Sequence, residues 1–169
     1  MFWFWKKMKP LIKDKEVIRQ TILRRIEPAG FFPNEDKVIE ILQSKSLHIY
    51  LGIDPTGPDI HIGHTIPLLY LKGLYNLGHR PVLVIGDFTA RIGDPTGKET
   101  TRKPLTKEEV KKNMKNYIGQ VYKILPKGSF DVEYNSKWLA KMTLKEFVEL
   151  SSQATVQQIA GKAGLRRPT

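Results

Sequence analysis

Ile49-Tyr50-Leu51-Gly52-Ile53-Asp54-Pro55-Thr56-Gly57-Pro58-Asp59-Ile60-His61-Ile62-Gly63-His64 is the stretch whose reading decides the fold. Its first part, extended back to Leu47, is rich in branched apolar residues and reads as a strand ending at Ile53. Two prolines and two glycines then force a turn. From about Gly63 to Leu77, Ile66, Leu69, Tyr70 and Leu74 recur at three- and four-residue spacing, which predicts a helix stopped by a left-handed Gly78. Pro81-Val82-Leu83-Val84-Ile85 follows as a short apolar run, the pattern of a parallel strand covered on both faces. Strand, helix and strand in this order make a right-handed βαβ unit.

Outward from that unit, two helices are expected before it. One runs over 13–26, with Val17, Ile18, Ile22, Leu23 and Ile26 at helical spacing; the other runs over 34–44, with Val38, Ile41 and Leu42 on one face. After it, residues 86–105 read as a polar loop. Thr106-Lys107-Glu108-Glu109 is a capping box that opens a helix carrying Val110, Met114, Tyr117, Val121 and Ile124 on its apolar face. Phe130 to Tyr134 is a third strand. Thr143-Leu144-Lys145-Glu146 is a second capping box, starting a helix with Leu144, Phe147 and Val148 expected inward. The alternation argues α/β, a Rossmann-like, mainly parallel sheet flanked by helices, incomplete and preceded by N-terminal helices. The expected division is a helical arm over 1–46, a partial nucleotide-binding domain over 47–158 and an atypical tail over 159–169.

Lys and Arg number 28 against 17 Asp and Glu, a formal charge of 28 − 17 = +11, which favours polyanionic partners such as nucleoside triphosphates or nucleic acid. A solvated basic surface explains the same number, so charge alone decides nothing. With 40% apolar residues the chain can bury a core, and the absence of cysteine removes disulfides and thiolate zinc sites and fits a reducing compartment. Met1-Phe2-Trp3-Phe4-Trp5 is too short an apolar run for a signal peptide or a membrane span.

Two segments carry candidate chemistry. His61 and His64 at i, i+3 lack a third ligand at metal spacing, so zinc is disfavoured; a surface loop is the bland alternative. Gly63 between them lets a base or phosphate approach the helix start, where the amides and the dipole favour an anion. Neutral imidazoles there can donate to phosphate oxygens that gain charge in a transition state. Gly93-Asp94-Pro95-Thr96-Gly97-Lys98 is not a P-loop: only three residues separate the glycines, and Glu99 stands where a magnesium-binding hydroxyl belongs. Alone it is an ordinary turn. With Lys98, Arg102 and Lys103 it becomes a loop able to clamp a triphosphate.

Tyr50 to Thr56, His61 to His64, Gly78-His79-Arg80-Pro81, Ile92 to Lys98, and Asn135 with Lys137-Trp138 occur in the order and spacing of bacterial tyrosyl-tRNA synthetases, and the chain resembles that class I family over roughly 47–158. The resemblance implies a role for each matching residue. Tyr50 would bond the substrate phenol, Asp94 its ammonium group, and Asn135 would support the pocket's polar network. Gly52 and Asp54 would lie against the adenylate, and Gly63 and His64 under the nucleotide. Thr56 and His61 would bind the γ-phosphate; Lys98 and Arg102 would close over pyrophosphate. It also implies L-tyrosine, ATP with Mg2+ and tRNA(Tyr) as substrates, a homodimer, a cytoplasmic location and no membrane.

The family's second nucleotide signature, a Lys-Met-Ser-Lys-Ser-like loop, does not occur in these residues. After Gln158 two glycines and a proline interrupt a helix that the family would continue, and the tail is expected to be a truncation from a shifted reading frame. A tyrosine-activating ligase therefore competes with a non-catalytic remnant or binding module that keeps nucleotide or RNA affinity. An unrelated nucleotidyltransferase sharing the histidine motif stands third.

Overall fold

Residues 9–24, 26, 30–92 and 105–153 are described by the computed structural model. The helices are α1 (Lys15–Leu23), α2 (Glu35–Ser44), α3 (Ile62–Asn76), α4 (Lys107–Val121), α5 (Ser136–Leu139) and α6 (Leu144–Ser152), with a 3-10 turn at Thr89–Arg91. The strands are β1 (His48–Ile53), β2 (Arg80–Ile85) and β3 (Asp131–Tyr134), paired in parallel in the order β1-β2-β3. The βαβ unit and the third strand expected from the sequence are present.

The register places Leu51 beside Leu83 and Val132, and Ile53 beside Ile85 and Tyr134. Strand alternation sends these to one face, where they join Leu68 and Leu71 of α3 and Tyr117 and Val121 of α4 in a single core. The opposite face carries Tyr50, Gly52, Val82 and Val84 by the same alternation. It is covered at Val82, which is 4% exposed, but Val84 is only half-buried and Tyr50 is 66% exposed. The expectation that β2 is covered on both faces therefore holds at Val82 and fails toward its carboxyl end.

A second core joins Ile18 and Ile22 of α1, Ile39 and Leu42 of α2, and Leu74 and Leu77 at the end of α3. Arg19 reinforces the α1–α2 contact, donating to Glu35 at 2.7 Å and to Asp36 at 3.1 Å. Gly78 adopts φ +93°, and a Cβ there would stand 2.5 Å from the Pro10 carbonyl oxygen, so both backbone and space demand glycine. Both capping boxes form: Thr106 and Glu109 bond reciprocally at 3.2 and 2.7 Å, as do Thr143 and Glu146.

Three inward faces differ from expectation. In α2, Ile39 is buried while Ile41 is exposed. In α3, Leu68, Leu71 and Leu74 face the core while Ile66 is exposed. That helix is apolar around most of its circumference, so spacing alone cannot choose the stripe the sheet will cover. Leu144, Phe147 and Val148 of α6 are 78%, 56% and 57% exposed, because no described element packs over them.

Candidate active site

The three strands end side by side, and each carboxyl end supplies a polar group: Asp54 after β1, Gly86 and Asp87 after β2, Asn135 after β3. In an open parallel sheet this edge is where ligands bind. Thr89 Oγ1 donates to Asp54 Oδ1 at 2.8 Å and accepts from Asn135 Nδ2 at 3.0 Å. The other end of the Asn135 amide accepts from Phe88 N at 2.9 Å. Asp87 returns the connection, accepting from Ser136 N at 2.9 Å and from Ser136 Oγ at 2.6 Å. Asp54, Thr89 and Asn135 thus form one continuous chain across the sheet.

That chain requires a glycine beneath it. A Cβ on Gly86 would lie 1.6 Å from Asp54 Oδ1 and 2.5 Å from Thr89 Oγ1. Above Gly52, by contrast, a Cβ meets nothing within 4 Å. The sheet face there is an open ledge, with Tyr50 two residues before Gly52 and Asp54 two residues after, each step about 6.6 Å along the strand.

The loop from Asp54 to His61 is held from α4. Asn113 Nδ2 donates to the Pro55 carbonyl at 3.0 Å, and Gln120 accepts from Ile60 N at 2.8 Å while donating to Asp59 at 3.0 Å. Thr56 sits in this loop with its amide on the Asp54 carbonyl at 2.8 Å.

His61 caps α3: its Nδ1 accepts from Gly63 N at 3.1 Å. His64 Nδ1 accepts from His61 N at 3.3 Å, and the rings stack with centroids 3.9 Å apart. Both Nδ1 atoms are thereby acceptors, which puts the proton of each neutral ring on Nε2 as a donor. Burial, and then the charge of neighbouring His61, lowers the His64 pKa below its ordinary value and keeps that ring neutral. A Cβ on Gly63 would press to 3.0 Å from the His61 ring.

The structure thus joins Asp54 to Asn135 through Thr89, and joins His61, Gly63 and His64 in one helix cap. Tyr50 and Gly52 lie on the open ledge. Asp94, Lys98 and Arg102 lie outside the described residues. Thr89, Asp87, Asn113 and Gln120 were not singled out by sequence reasoning. A signal existed for two of them: Asn113 and Gln120 are seven positions apart, flanking Tyr117 on the core side of α4. Among the described residues no three His, Cys, Asp or Glu side chains gather as a metal site, and no helix is long and apolar enough to cross a membrane.

The sequence profile of the family described as tRNA synthetases class I (W and Y) matches residues 42–166. The chain belongs to this family. Among its relatives, the tyrosine--tRNA ligase of Carboxydothermus hydrogenoformans is 45% identical over 85% of this chain and 36% of its own length. That of Moorella thermoacetica is 43% identical over 86% of this chain and 36% of its own length. A solved structure, the C-terminally truncated mitochondrial tyrosyl-tRNA synthetase of Aspergillus nidulans, superposes with a TM-score of 0.64 at 25% identity, covering 79% of this chain and 44% of that one. The chain therefore spans little more than a third of the relatives it matches. In this class I synthetase chain, the parallel sheet and the strand-end site form an incomplete Rossmann-like fold.

Proposed function

We propose that this chain supplies the tyrosine- and ATP-binding portion of a tyrosine--tRNA ligase, with residues 47–158 as a partial catalytic domain. The observation that carries this reading is the open ledge over Gly52, flanked by Tyr50 and Asp54 at the carboxyl edge of the sheet. It supports a substrate laid along β1, with its phenol at Tyr50 and an adenylate against Gly52 and Asp54. The Nε2 atoms of His61 and His64, left as donors beside the start of α3 while both Nδ1 atoms accept, suit the phosphates. Thr56 joins them as a γ-phosphate ligand. Asp94 takes the tyrosine ammonium group, and Lys98 and Arg102 take the departing pyrophosphate. Asn135 is a positioning residue: both ends of its amide are engaged within the protein.

The reaction needs no general base, because the tyrosine carboxylate is already ionised at neutral pH. A carboxylate oxygen bonds to the α-phosphorus of ATP as the bond to the bridging oxygen breaks and pyrophosphate leaves. A terminal ribose hydroxyl of tRNA(Tyr) then attacks the acyl carbon of tyrosyl-adenylate and AMP departs. Catalysis is positioning plus stabilisation of charge on phosphate oxygens. Magnesium enters as part of the ATP substrate, offsetting phosphate charge. Phenylalanine is rejected because it leaves the Tyr50 hydroxyl without its partner. The reading carries with it a homodimer acting in the cytoplasm.

Tyrosine-dependent exchange of radiolabelled pyrophosphate into ATP tests it directly. Exchange with tyrosine and not with tryptophan supports the ligase. Binding of ATP without any exchange would favour a binding module.

A further inference from the structure

The loop from β1 to α3 borrows its shape from another element. Within 54–60 its own backbone closes through Thr56 N, which donates to the Asp54 carbonyl at 2.8 Å. One face of α4 holds it from outside, where Asn113, Tyr117 and Gln120 recur at four- and three-residue spacing. Asn113 Nδ2 takes the Pro55 carbonyl, and the Tyr117 hydroxyl reaches the Asp59 carbonyl at 3.5 Å. Gln120 uses both ends of its amide. Its Oε1 accepts from Ile60 N, while its Nε2 donates to Asp59 Oδ1 at 3.0 Å and to the Pro58 carbonyl at 3.3 Å.

These bonds converge on two peptide planes. In the Pro55–Thr56 peptide the carbonyl accepts from Asn113 and the N–H donates to Asp54. In the Asp59–Ile60 peptide the carbonyl accepts from Tyr117 and the N–H donates to Gln120. A planar peptide gripped at both polar ends cannot rotate without losing a bond. The first plane carries Thr56, and the second leads directly into His61. Those are the two residues that bind the γ-phosphate in the proposed reaction. Tyr117 adds a further brace, its ring edge-on to His64 with centroids 6.3 Å apart. Filling the core beside Tyr117 needs no amide at 113 or 120; the polar backbone of the loop does.

We propose that Asn113 and Gln120 are positioning residues for the triphosphate: through them α4 sets where Thr56 and His61 stand. This deepens the reading of the chain as part of a ligase and rests on it for the identity of the ligand.

Gln120→Glu is the sharpest test. It keeps the side chain's shape and an acceptor for Ile60 N, but it turns a carboxylate oxygen toward Asp59 where a donor now bridges 3.0 Å. Asn116→Asp, on the exposed side of the same helix, adds the same charge away from the loop. Both are made in the full chain and checked for folding by circular dichroism; should the glutamate variant fail to fold, the uncharged Gln120→Met replaces it with the same expectation. Calorimetry gives affinities for ATP and L-tyrosine, and NMR follows the histidine ring protons. Gln120→Glu is expected to weaken ATP on the order of tenfold and to leave tyrosine within about twofold, because only the phosphate ligands are displaced. The ring resonances of His61 and His64 are expected to move while those of His79, at the opposite end of the sheet, stay in place. Asn113→Ala is expected to show the same preference for ATP over tyrosine. Unmoved His61 and His64 resonances in folded Gln120→Glu would overturn the proposal. So would equal losses for both ligands, or an Asn116→Asp effect as large. A parent chain that binds neither ligand sinks the ligase reading, and the ring resonances then decide the positioning role alone.

Discussion

Thr89 and Asp54, thirty-five positions apart, meet in a 2.8 Å hydrogen bond directly over Gly86. The Thr89 hydroxyl has one proton and gives it to the Asp54 carboxylate. It can therefore only accept from Asn135 Nδ2, at 3.0 Å, and the direction of the whole chain is determined.

Gly86→Ala tests the closeness of that approach. A methyl group 1.6 Å from Asp54 Oδ1 cannot be accommodated without moving the carboxylate. The variant is expected to lose about 2–4 kcal/mol in urea unfolding, with the loss of ATP binding exceeding what the unfolded fraction explains. Unchanged ATP affinity in the folded variant would detach Asp54 from the nucleotide.

Asn135→Ala leaves the Phe88 amide without its acceptor in a buried setting, at a cost of about 1–3 kcal/mol. Asn135→Asp restores that acceptor but has no donor for Thr89, and it adds a negative charge close to Asp54. It is expected to recover part of the stability and none of the tyrosine-dependent exchange. Full recovery of exchange by the aspartate variant would show that the direction of the chain is immaterial.

Stability should fall on mild acidification. His64 is lowered by burial and by His61, and His79, 2% exposed, is lowered by burial. A histidine whose folded pKa lies below its unfolded value of 6.5 binds more protons when unfolded, so its contribution is complete above 6.5 and is lost as pH falls through the folded value. The urea midpoint is expected to drop between about pH 7.5 and pH 5.5, and ring-proton resonances of both histidines to titrate below 6.5 in NMR. Titration at or above 6.5 would contradict the packing around them.

Phe147→Glu on the exposed side of α6 should change stability by no more than about 0.5 kcal/mol, because no described element covers that ring. Light scattering is expected to report less self-association. A loss of several degrees in melting temperature would mean that the ring is covered in solution.

Much of the fold was legible along the chain because its signals are local. Thr106 with Glu109 and Thr143 with Glu146 are three residues apart, and such pairs close in any helix that begins there. The strand–turn–helix over His48 to Asn76 followed from branched residues, prolines and glycines within one window. The histidine cap was visible as a motif for the same reason. Thr89 and Asp87 carry no such signal, since a lone polar residue in a loop has many partners open to it; the seven-residue spacing of Asn113 and Gln120 marks their side of α4 but not the loop over 55–60 that they hold.

By itself the sequence determined the order of elements, the caps and the alternation that separates Tyr50 and Gly52 from Leu51 and Ile53, since each depends on backbone geometry over a few residues. Tertiary structure alone decided which stripe of α3 is buried, that the apolar side of α6 stays exposed, and that Asp54, Thr89 and Asn135 share one hydrogen-bonded chain. Those outcomes depend on which surfaces meet when parallel strands align, and spacing along the chain carries no record of that encounter.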